Sequence, residues 1–256
     1  MKVVLLAGGL GTRMREETEF RPKPMVEIGG KPVLWHIMKI YASYGHTDFV
    51  ICAGYKGDQI KQYFYNYAAS NMDFTVQLGN QDSAVFHGSH DEFGWTVTVA
   101  DTGLETPTGG RIHKVRQFVE DETFLCTYGD GIANVDIDAL VERHRQSRMP
   151  ATITVTKPQG RFGVVQLNSE SRVLGFLEKP KVADPVNIGY FVFDSKVFDF
   201  LDEDSVLEQQ PMTELASRGL LSAHEHEGFW QPMDTYREYQ LLNDMWHEGS
   251  APWKTW

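Results

Sequence analysis

The sequence predicts an α/β fold, a single Rossmann-like domain with a mostly parallel mixed sheet flanked by helices and antiparallel additions in its second half. Over residues 1–150, apolar runs typical of buried strands alternate with longer segments of helical spacing, which favours parallel strands. Over residues 151–256, strand-like runs follow one another through short links, which favours antiparallel pairing. No internal repeat and no linker rich in Pro, Gly or Ser separates the halves, so residues 1–256 form one continuous domain.

The first half opens with a β-α-β-α pattern. Residues 2–7 form a β-branched and aliphatic run that ends in glycines, which is typical of a strand buried on both faces. Residues 32–44 have apolar side chains at helical spacing, and residues 48–53 repeat the strand pattern. The other predictions for this half are a helix capped by Asp58, an irregular stretch over 80–90, strands over 95–100 and 124–128, and helices over 111–119 and 136–146.

The second half is rich in short strands. Apolar and alternating runs predict them over 151–156, 162–167, 173–177, 188–193 and 220–226. Helical spacing predicts three helices, over 196–201, 212–218 and 236–246. Because strands here outnumber helices, we expect this half to extend the sheet rather than to repeat the β-α pattern.

Composition excludes several classes of protein. Hydrophobic residues make up 41% of the chain and charged residues 23%, as in ordinary packed domains, which excludes disorder and low-complexity architecture. No apolar run reaches the ~18 residues of a membrane-spanning helix, and the apolar N-terminal stretch is too short for a secretory signal. We therefore expect a cytoplasmic protein in which Cys52 and Cys126 pack in the core rather than form a disulfide.

The net charge of −11 constrains the ligands that the surface can attract. A surface this acidic repels nucleic acid and anionic lipid, so we expect neither a nucleic acid nor a membrane as a partner. A ligand that carries phosphate must therefore be held by a local cluster of cations or by a metal ion.

A glycine-rich loop follows the first predicted strand, where open α/β sheets bind their ligands. Gly8, Gly9 and Gly11 allow the backbone to approach phosphate oxygens and to direct N–H groups at them, while Arg13 adds a charge-assisted fork. Lys23 follows, between two prolines that restrict the backbone and could hold its ammonium over the same loop. A plain glycine-rich turn and a solvated lysine are the alternatives.

Two familiar phosphate-binding motifs do not fit this loop. A Walker A loop requires Gly-Lys-Ser/Thr after its first glycine, and no segment of the chain satisfies it. The dinucleotide fingerprint requires Gly or Ala where Met14 stands and an acidic residue at the end of the second strand, where residues 52–54 are Cys-Ala-Gly. A dehydrogenase is therefore disfavoured.

Two aspartates are candidate ligands for Mg²⁺. Asp130 lies between glycines at the end of a predicted strand, and Asp234 follows an aromatic segment. Mg²⁺ binds a few carboxylate oxygens and completes its octahedron with phosphate oxygens and water, so two aspartates suffice. The alternatives are a simple turn around Asp130 and a helix N-cap at Asp234.

The motifs together resemble the signature of the sugar-1-phosphate nucleotidylyltransferases. Leu-Ala-Gly-Gly-x-Gly-Thr-Arg over 6–13 is followed by Pro-Lys-Pro over 22–24 and by Val-Glu-Ile-Gly-Gly-Lys-Pro over 26–32. Within that superfamily, three runs are similar to the glucose-1-phosphate cytidylyltransferases. These are Thr-Gly-Gly-Arg over 108–111, Arg-Phe-Gly over 161–163 and Gly-Phe-Trp-Gln-Pro-Met-Asp-Thr over 228–235. Further matches at 128–131 and 178–180 extend the resemblance over nearly the whole chain.

The resemblance implies an enzyme that transfers CMP from CTP to a sugar 1-phosphate, most closely α-D-glucose 1-phosphate, giving CDP-glucose and pyrophosphate for polysaccharide synthesis. It implies Mg²⁺ as the cofactor, held by Asp130 and Asp234, and catalysis by Arg13 and Lys23. Residues 1–150 would form the nucleotide-binding half and residues 151–256 the sugar-phosphate-binding half. The implied nucleotide-binding residues are Leu6, Ala7, Gly8, Gly9, Gly11, Thr12, Arg13, Thr108, Gly110, Arg111 and Gly129, with Thr108 and Arg111 at the base. The implied sugar-phosphate-binding residues are Lys23, Arg161, Gly163, Glu178, Lys179 and Asn187.

Two departures from the family pattern leave the acceptor open. Ile188 stands where glycine is usual and would add bulk near the expected sugar pocket, and Leu207 stands where tryptophan is usual. Another nucleotide or another phosphorylated acceptor is therefore an alternative. A non-catalytic module that binds a nucleotide sugar is a further one, although the cationic and carboxylate positions are all present.

Two smaller features remain. His224 and His226 share one face of a predicted strand, but they lack further zinc ligands, so we expect histidines of the surface or of a pocket. Phe86, Trp253 and Trp256 fall in segments that lack regular patterning, so exposed aromatic residues and a homo-oligomer are expected.

Overall fold

A seven-stranded sheet forms the centre of the computed structural model, which describes residues 1–12, 14–119, 122–160 and 162–256, apart from the side chains of residues 15, 16 and 80–82. The strands are numbered in chain order, and their order across the sheet is β7-β5-β6-β4-β1-β2-β3. Their bounds are β1 Lys2–Ala7, β2 Asp48–Ala53, β3 Thr96–Asp101, β4 Phe124–Tyr128, β5 Ala151–Thr156, β6 Val186–Phe193 and β7 Leu221–Glu225.

The sheet is mixed and mostly parallel, as predicted. Strand β6 pairs antiparallel with both of its neighbours, β4 and β5. All other neighbouring strands of this sheet pair parallel. The antiparallel addition to the sheet in the second half is thus this one strand. The carboxyl ends of β1, β2 and β4 lie at the same edge, where the glycine loop and Asp130 follow.

Helices cover both faces, which explains the continuous apolar runs. In β1, Val3 and Leu5 pack into one core cluster and Val4 and Leu6 into the other. The longer helices are α1 Val33–Ser43, α2 Gly57–Tyr65, α3 Thr108–Lys114, α4 Ile137–Ser147, α5 Gln210–Ser217 and α6 Tyr236–His247. Shorter helices cover Arg15–Thr18, Tyr67–Asn71 and Arg116–Val119, with 3-10 turns over Lys23–Met25 and Ser195–Phe200. No described helix has the length and apolar character needed to cross a membrane.

In the described part of the chain, four small two-stranded sheets accompany the central one. Asp73–Gln77 pairs with Asn80–His87, so the prediction of an irregular stretch over 80–90 is wrong. The error has a physical cause: the described side chains of this hairpin are mostly exposed, and no buried face imposes alternation on its sequence. The other pairs are Val164–Leu167 with Val173–Leu177, Gly131–Ala133 with Trp230–Pro232, and Glu27–Ile28 with Lys31–Pro32.

Both departures from the family pattern lie in the core rather than in a pocket. Ile188 is 3% exposed and Leu207 is fully buried, so their side chains pack with the apolar clusters. The left-handed backbone conformation of this segment occurs at Gly189, with φ of 84°. An added Cβ there would lie 2.1 Å from the ring of Tyr128, so glycine is required at 189 and not at 188.

Aromatic residues of the C-terminus pack around a buried histidine. Trp253 is fully buried, which corrects the expectation that it is exposed, while Phe86 remains 41% exposed in its hairpin. His36 is fully buried, its Nε2 lies 2.8 Å from the carbonyl oxygen of Ile28, and Trp253 donates to its Nδ1 over 3.4 Å. Burial lowers the pKa of His36 to about 4, so the ring is neutral and donates through Nε2.

Both cysteines are free and buried, as core packing predicts. Burial raises the pKa of the Cys52 thiol to about 12, so this thiol remains protonated and unreactive at neutral pH.

Candidate active site

A cavity of about 490 Å³ lies at the carboxyl edge of the sheet, where β1 and β4 end. Most of the predicted nucleotide, catalytic and metal residues line it together. They are Leu6, Ala7, Gly8, Gly9, Gly11, Thr12, Lys23, Thr108, Arg111, Gly129, Asp130 and Asp234. Arg13 and Arg161 lie outside the described residues. A larger cavity, of about 700 Å³ beside the outer strand β3, contains none of the predicted site residues.

Lys23 lines this cavity and contacts both candidate metal ligands. It begins a 3-10 turn after Pro22, and its side chain is only 9% exposed. Its ammonium nitrogen lies 2.6 Å from Oδ2 of Asp130 and 2.6 Å from Oδ1 of Asp234. The two carboxylate oxygens are therefore no farther apart than the sum of these distances, and both aspartates face one cavity.

A short strand pair brings the two aspartates together. Gly131–Ala133 follows Asp130, Trp230–Pro232 precedes Asp234, and these segments pair antiparallel with Pro232 opposite Gly131. The N–H of Met233 also donates to the carbonyl oxygen of Asp130 over 2.9 Å. Residues more than a hundred positions apart in the sequence are thus fixed side by side by backbone hydrogen bonds.

Asp234 is not the N-cap of helix α6. Thr235 is the cap: its hydroxyl accepts from the N–H of Glu238, and the Glu238 carboxylate accepts from the N–H of Thr235 in return, which completes a capping box. The same carboxylate accepts from the N–H of Asp234 over 2.8 Å. The cap therefore fixes the backbone of Asp234 and leaves its side chain directed at Lys23.

The paired carboxylates have the chemistry of a magnesium site. Asp130 and Asp234 keep 32% and 16% of their side-chain surface accessible, so ligands from the cavity can reach them. Among the described residues, no cluster of three or more His, Cys, Asp or Glu side chains could hold a metal ion. A pair of carboxylates that leaves further positions to phosphate and water fits Mg²⁺ and does not fit a closed zinc site.

Arg111 packs against the glycine loop and donates to its backbone. Its guanidinium donates to the carbonyl oxygens of Gly8, Ala53, Gly103 and Leu104 and to the hydroxyl of Thr102, and the residue is 5% exposed. A Cβ on Gly8 would lie 2.0 Å from its Nη1. Burial lowers the pKa of Arg111 from its ordinary value. Because this guanidinium donates to four carbonyl oxygens and one hydroxyl, the Arg111 side chain stabilises the loop.

The Thr-Gly-Gly-Arg glycines have a packing role that the sequence did not reveal. An added Cβ on Gly109 would lie 2.7 Å from the carbonyl oxygen of Ser205, and one on Gly110 would lie 2.1 Å from that of Glu203. The N–H of Gly110 donates to Ser205 over 3.0 Å. Helix α3 is thereby fixed to the 203–205 loop, while Thr108 faces the cavity.

The cavity at the glycine loop, of about 490 Å³, is the first cavity of the site. The second cavity, of about 800 Å³, adjoins it and shares Pro232 with it. Asn187, Lys181 and Trp230 contribute to its lining. Three other predicted sugar-phosphate residues line neither cavity: Gly163, Glu178 and Lys179. Glu178 and Lys179 keep 63% and 56% of their side chains exposed and lie 3.5 Å from each other.

Three site-building residues were missed by sequence reasoning. The side-chain oxygen of Asn134 accepts from the N–H of Phe229 over 2.7 Å and so orients the segment that leads to Asp234. Glu238 completes the capping box, and its position three residues after Thr235 was a readable signal. Glu208 accepts from Thr108 and Tyr128, and no local pattern marks it.

His226 also belongs to this supporting layer, with its Nε2 located 3.0 Å from the carbonyl oxygen of Phe229. Burial lowers the pKa of His224. Both histidines lie at or just beyond the end of β7, and the described residues around them include no third metal ligand.

Comparison with known proteins identifies the family of this chain. The family model described as nucleotidyl transferase matches residues 2–235. Glucose-1-phosphate cytidylyltransferases of Salmonella typhimurium and Salmonella typhi are each 49% identical over 259 residues, covering 100% of both chains. A UDP-glucose pyrophosphorylase solved with UDP-glucose shares the fold, with a TM-score of 0.70 at 15% identity over 97% of this chain and 98% of its own. The chain therefore belongs to the nucleotidyl transferase family.

Proposed function

We propose that the protein transfers CMP from CTP to α-D-glucose 1-phosphate, giving CDP-glucose and pyrophosphate. The end-to-end similarity to glucose-1-phosphate cytidylyltransferases supports the choice of both substrates. The observation that carries the chemistry is the Lys23 ammonium, held 2.6 Å from two carboxylates in a cavity walled by glycines. Because Ile188 and Leu207 lie in the core, neither departure from the family pattern argues against glucose as the sugar.

The nucleotide half, residues 1–150, binds CTP in the first cavity. Its lining comes from that half except for Pro232 and Asp234. Gly8 and Gly9 line the cavity, where backbone N–H groups would stabilise phosphate oxygens. Arg13 keeps its predicted role at the leaving phosphates.

The reaction needs charge neutralisation more than a strong base. A phosphate monoester is already ionised at neutral pH, so its oxygen attacks the α-phosphorus of CTP in line while pyrophosphate leaves. Lys23 binds the α-phosphate oxygens and stabilises the charge that develops there. When bound, Mg²⁺ held by Asp130 and Asp234 neutralises phosphate charge and orients the triphosphate.

The sugar half, residues 151–256, binds glucose 1-phosphate in the second cavity. The two cavities meet at Pro232, next to the paired aspartates, so an acceptor in the second cavity faces the α-phosphate in the first. Asn187 and Lys181 supply polar groups there. Gly163, Glu178 and Lys179 flank the hairpin of Val164–Leu167 and Val173–Leu177 and keep their predicted role at the sugar phosphate. Arg161 keeps the same predicted role.

The test is pyrophosphate release from a panel of substrates. Purified protein with Mg²⁺ is given CTP, UTP, dTTP, ATP or GTP, each with glucose 1-phosphate, mannose 1-phosphate or galactose 1-phosphate. We expect the largest kcat/KM for CTP with glucose 1-phosphate and the formation of CDP-glucose. A preference for another pair would reassign the substrates, and no release from any pair would contradict the transferase activity.

We also propose self-association and a cytoplasmic location. The hairpin of Val164–Leu167 and Val173–Leu177 exposes apolar side chains on both faces, including Leu174 at 69% and Phe176 at 61%. An isolated two-stranded hairpin is marginal in water, so a second copy covering it would stabilise it. Two free cysteines suit a reducing compartment. Sedimentation of the purified protein tests the first proposal, since a monomer at micromolar concentration would contradict it.

A further inference from the structure

We infer that Glu208 determines the preference for cytosine over uracil, an inference that rests on the proposed cytidylyl transfer. Glu208 follows the 203–205 loop, and its carboxylate bridges two parts of the wall of the first cavity. Oε2 accepts from the hydroxyl of Thr108 over 2.7 Å, and Oε1 accepts from the hydroxyl of Tyr128. Both partners line the cavity, so the carboxylate lies within one hydrogen bond of its interior.

The carboxylate is held in a fixed position. The N–H of Leu207 donates to the Thr108 hydroxyl oxygen over 2.9 Å, which directs the hydroxyl hydrogen toward Glu208. The backbone of the preceding loop is fixed to helix α3 through Gly110 and Ser205. The hydroxyl of Tyr128 donates to the other carboxylate oxygen, Oε1, so both oxygens are held. Preorganisation of this kind is what a recognition group requires.

The carboxylate retains both its charge and spare acceptor capacity. Thr108 and Tyr128 are uncharged donors, so they do not neutralise Glu208. Each carboxylate oxygen has two lone pairs, and each accepts one of these two hydrogen bonds. One acceptor position on each oxygen is left for a ligand. The group can accept a further hydrogen bond but cannot donate one.

The layout of the two cavities places the base on this side. The sugar cavity joins the first cavity at Pro232, beside Asp130 and Asp234, and the glycine loop takes the triphosphate. The part of the first cavity that remains for the base is walled by residues 106–108 and Tyr128. Within this wall, Thr108 and Tyr128 donate hydrogen bonds to Glu208.

Cytosine and uracil differ at the atom that a carboxylate distinguishes. Cytosine presents an amino donor at C4, whereas uracil and thymine present a carbonyl acceptor. Glu208 attracts the donor and repels the acceptor. A well-placed polar contact of this kind gives about ten- to hundredfold discrimination between bases.

The experiment compares wild type, Glu208→Gln and Glu214→Gln. Glu214, on helix α5, is ion-paired with Arg218 and is the matched control. We measure kcat/KM for CTP and for UTP with saturating glucose 1-phosphate, and the affinity for each nucleotide alone by calorimetry. We expect Glu208→Gln to lower the CTP-to-UTP ratio of kcat/KM about ten- to hundredfold, because its amide can donate to a carbonyl. The ratio for Glu214→Gln should equal that of wild type.

An unchanged ratio in Glu208→Gln would overturn the inference, including the case in which both nucleotides weaken equally because the carboxylate binds ribose hydroxyls. Tyr128→Phe is the second variant: it removes one hydroxyl from Glu208 and keeps the ring, and we expect the ratio to fall severalfold. A wild-type protein that releases no pyrophosphate from CTP contradicts the proposed function instead, which keeps the two failures distinguishable.

Discussion

At the scale of single residues, the site is built on a few contacts that a sequence pattern can locate only in part. The glycine loop, Lys23, Asp130 and Asp234 were predicted from motif and resemblance, and the structure brings them into one cavity. The network beneath the loop could not be predicted, because the acceptors of Arg111 come from three separate segments of the chain.

Replacement of Lys23 tests the charge at the reaction centre. We expect Lys23→Met to lower kcat by roughly 10²- to 10³-fold, since a preorganised cationic donor is lost. Lys61→Met is the control, because Lys61 is about half exposed and its nearest carboxylate, on Asp101, is 3.5 Å away. Steady-state kinetics make the comparison. Turnover within twofold of wild type would remove Lys23 from catalysis.

Replacement of each aspartate tests the proposed metal site. We expect Asp130→Asn and Asp234→Asn each to reduce turnover by orders of magnitude and to weaken Mg²⁺ dependence, because an amide oxygen is a poorer Mg²⁺ ligand than a carboxylate. Circular dichroism and Mg²⁺ titration of the rate are the measurements. Wild-type turnover in either variant would exclude that residue as a ligand.

Two neighbouring glycines provide a matched test of the packing on Arg111. A Cβ at Gly8 would displace the guanidinium, whereas a Cβ at Gly9 meets nothing within 4 Å. We expect Gly8→Ala to lower the free energy of unfolding by about 1–3 kcal/mol and Gly9→Ala to change it by less than about 0.5 kcal/mol. Urea denaturation measures both. Equal effects would show that the guanidinium moves without cost.

At the scale of elements, strands buried on both faces were predicted with their bounds, whereas one of the two exposed hairpins was missed. Strands β1, β2 and β4 have continuous apolar runs because both faces are covered, and the predicted bounds are those of the structure. The hairpin of Asp73–Gln77 and Asn80–His87 is largely exposed, so no burial pattern marks its strands. The pairing of Trp230–Pro232 with Gly131–Ala133 is a long-range contact that local reasoning cannot supply.

We expect the start of helix α6 to link stability to catalysis, because the capping residue directly follows Asp234. We expect Thr235→Ala to cost about 1 kcal/mol of stability through the lost cap and also to lower kcat, because Asp234 precedes the cap. Asp136 is the cap of helix α4, and its side chain accepts from the N–H of Ala139 over 2.9 Å. Asp136→Ala should therefore cost similar stability without loss of kcat. Thermal unfolding and kinetics separate the two outcomes. Equal kcat in both variants would show that the capping box of Thr235 and Glu238 does not affect catalysis.

At the scale of the whole molecule, the fold class and an antiparallel addition in the second half followed from the pattern of strands and helices, but the position of the antiparallel strand in the sheet did not. The position of β6 between β4 and β5 depends on long-range pairing that short links alone do not specify. Location and assembly remain predictions.

The buried, neutral side chain of His36 makes the stability of the fold depend on pH. The pKa of His36 is about 4 in the fold against 6.5 in its ordinary state, so the unfolded chain binds more protons between these values. Stability should therefore fall as the pH is lowered from about 6.5 to about 4, by about 3 kcal/mol from this residue. Urea unfolding across this range in wild type and His36→Gln measures it. The variant should show a shallower slope, and an equal slope would assign the dependence to other groups.

The ammonium that joins Asp130 to Asp234 also balances charge at this edge of the sheet. One lysine offsets one of the two carboxylates, so an incoming polyphosphate meets one excess negative charge instead of two. Mg²⁺ held by the two aspartates would share their oxygens with this tethered cation. The phosphate groups of a nucleotide would then offer Lys23 another anionic partner.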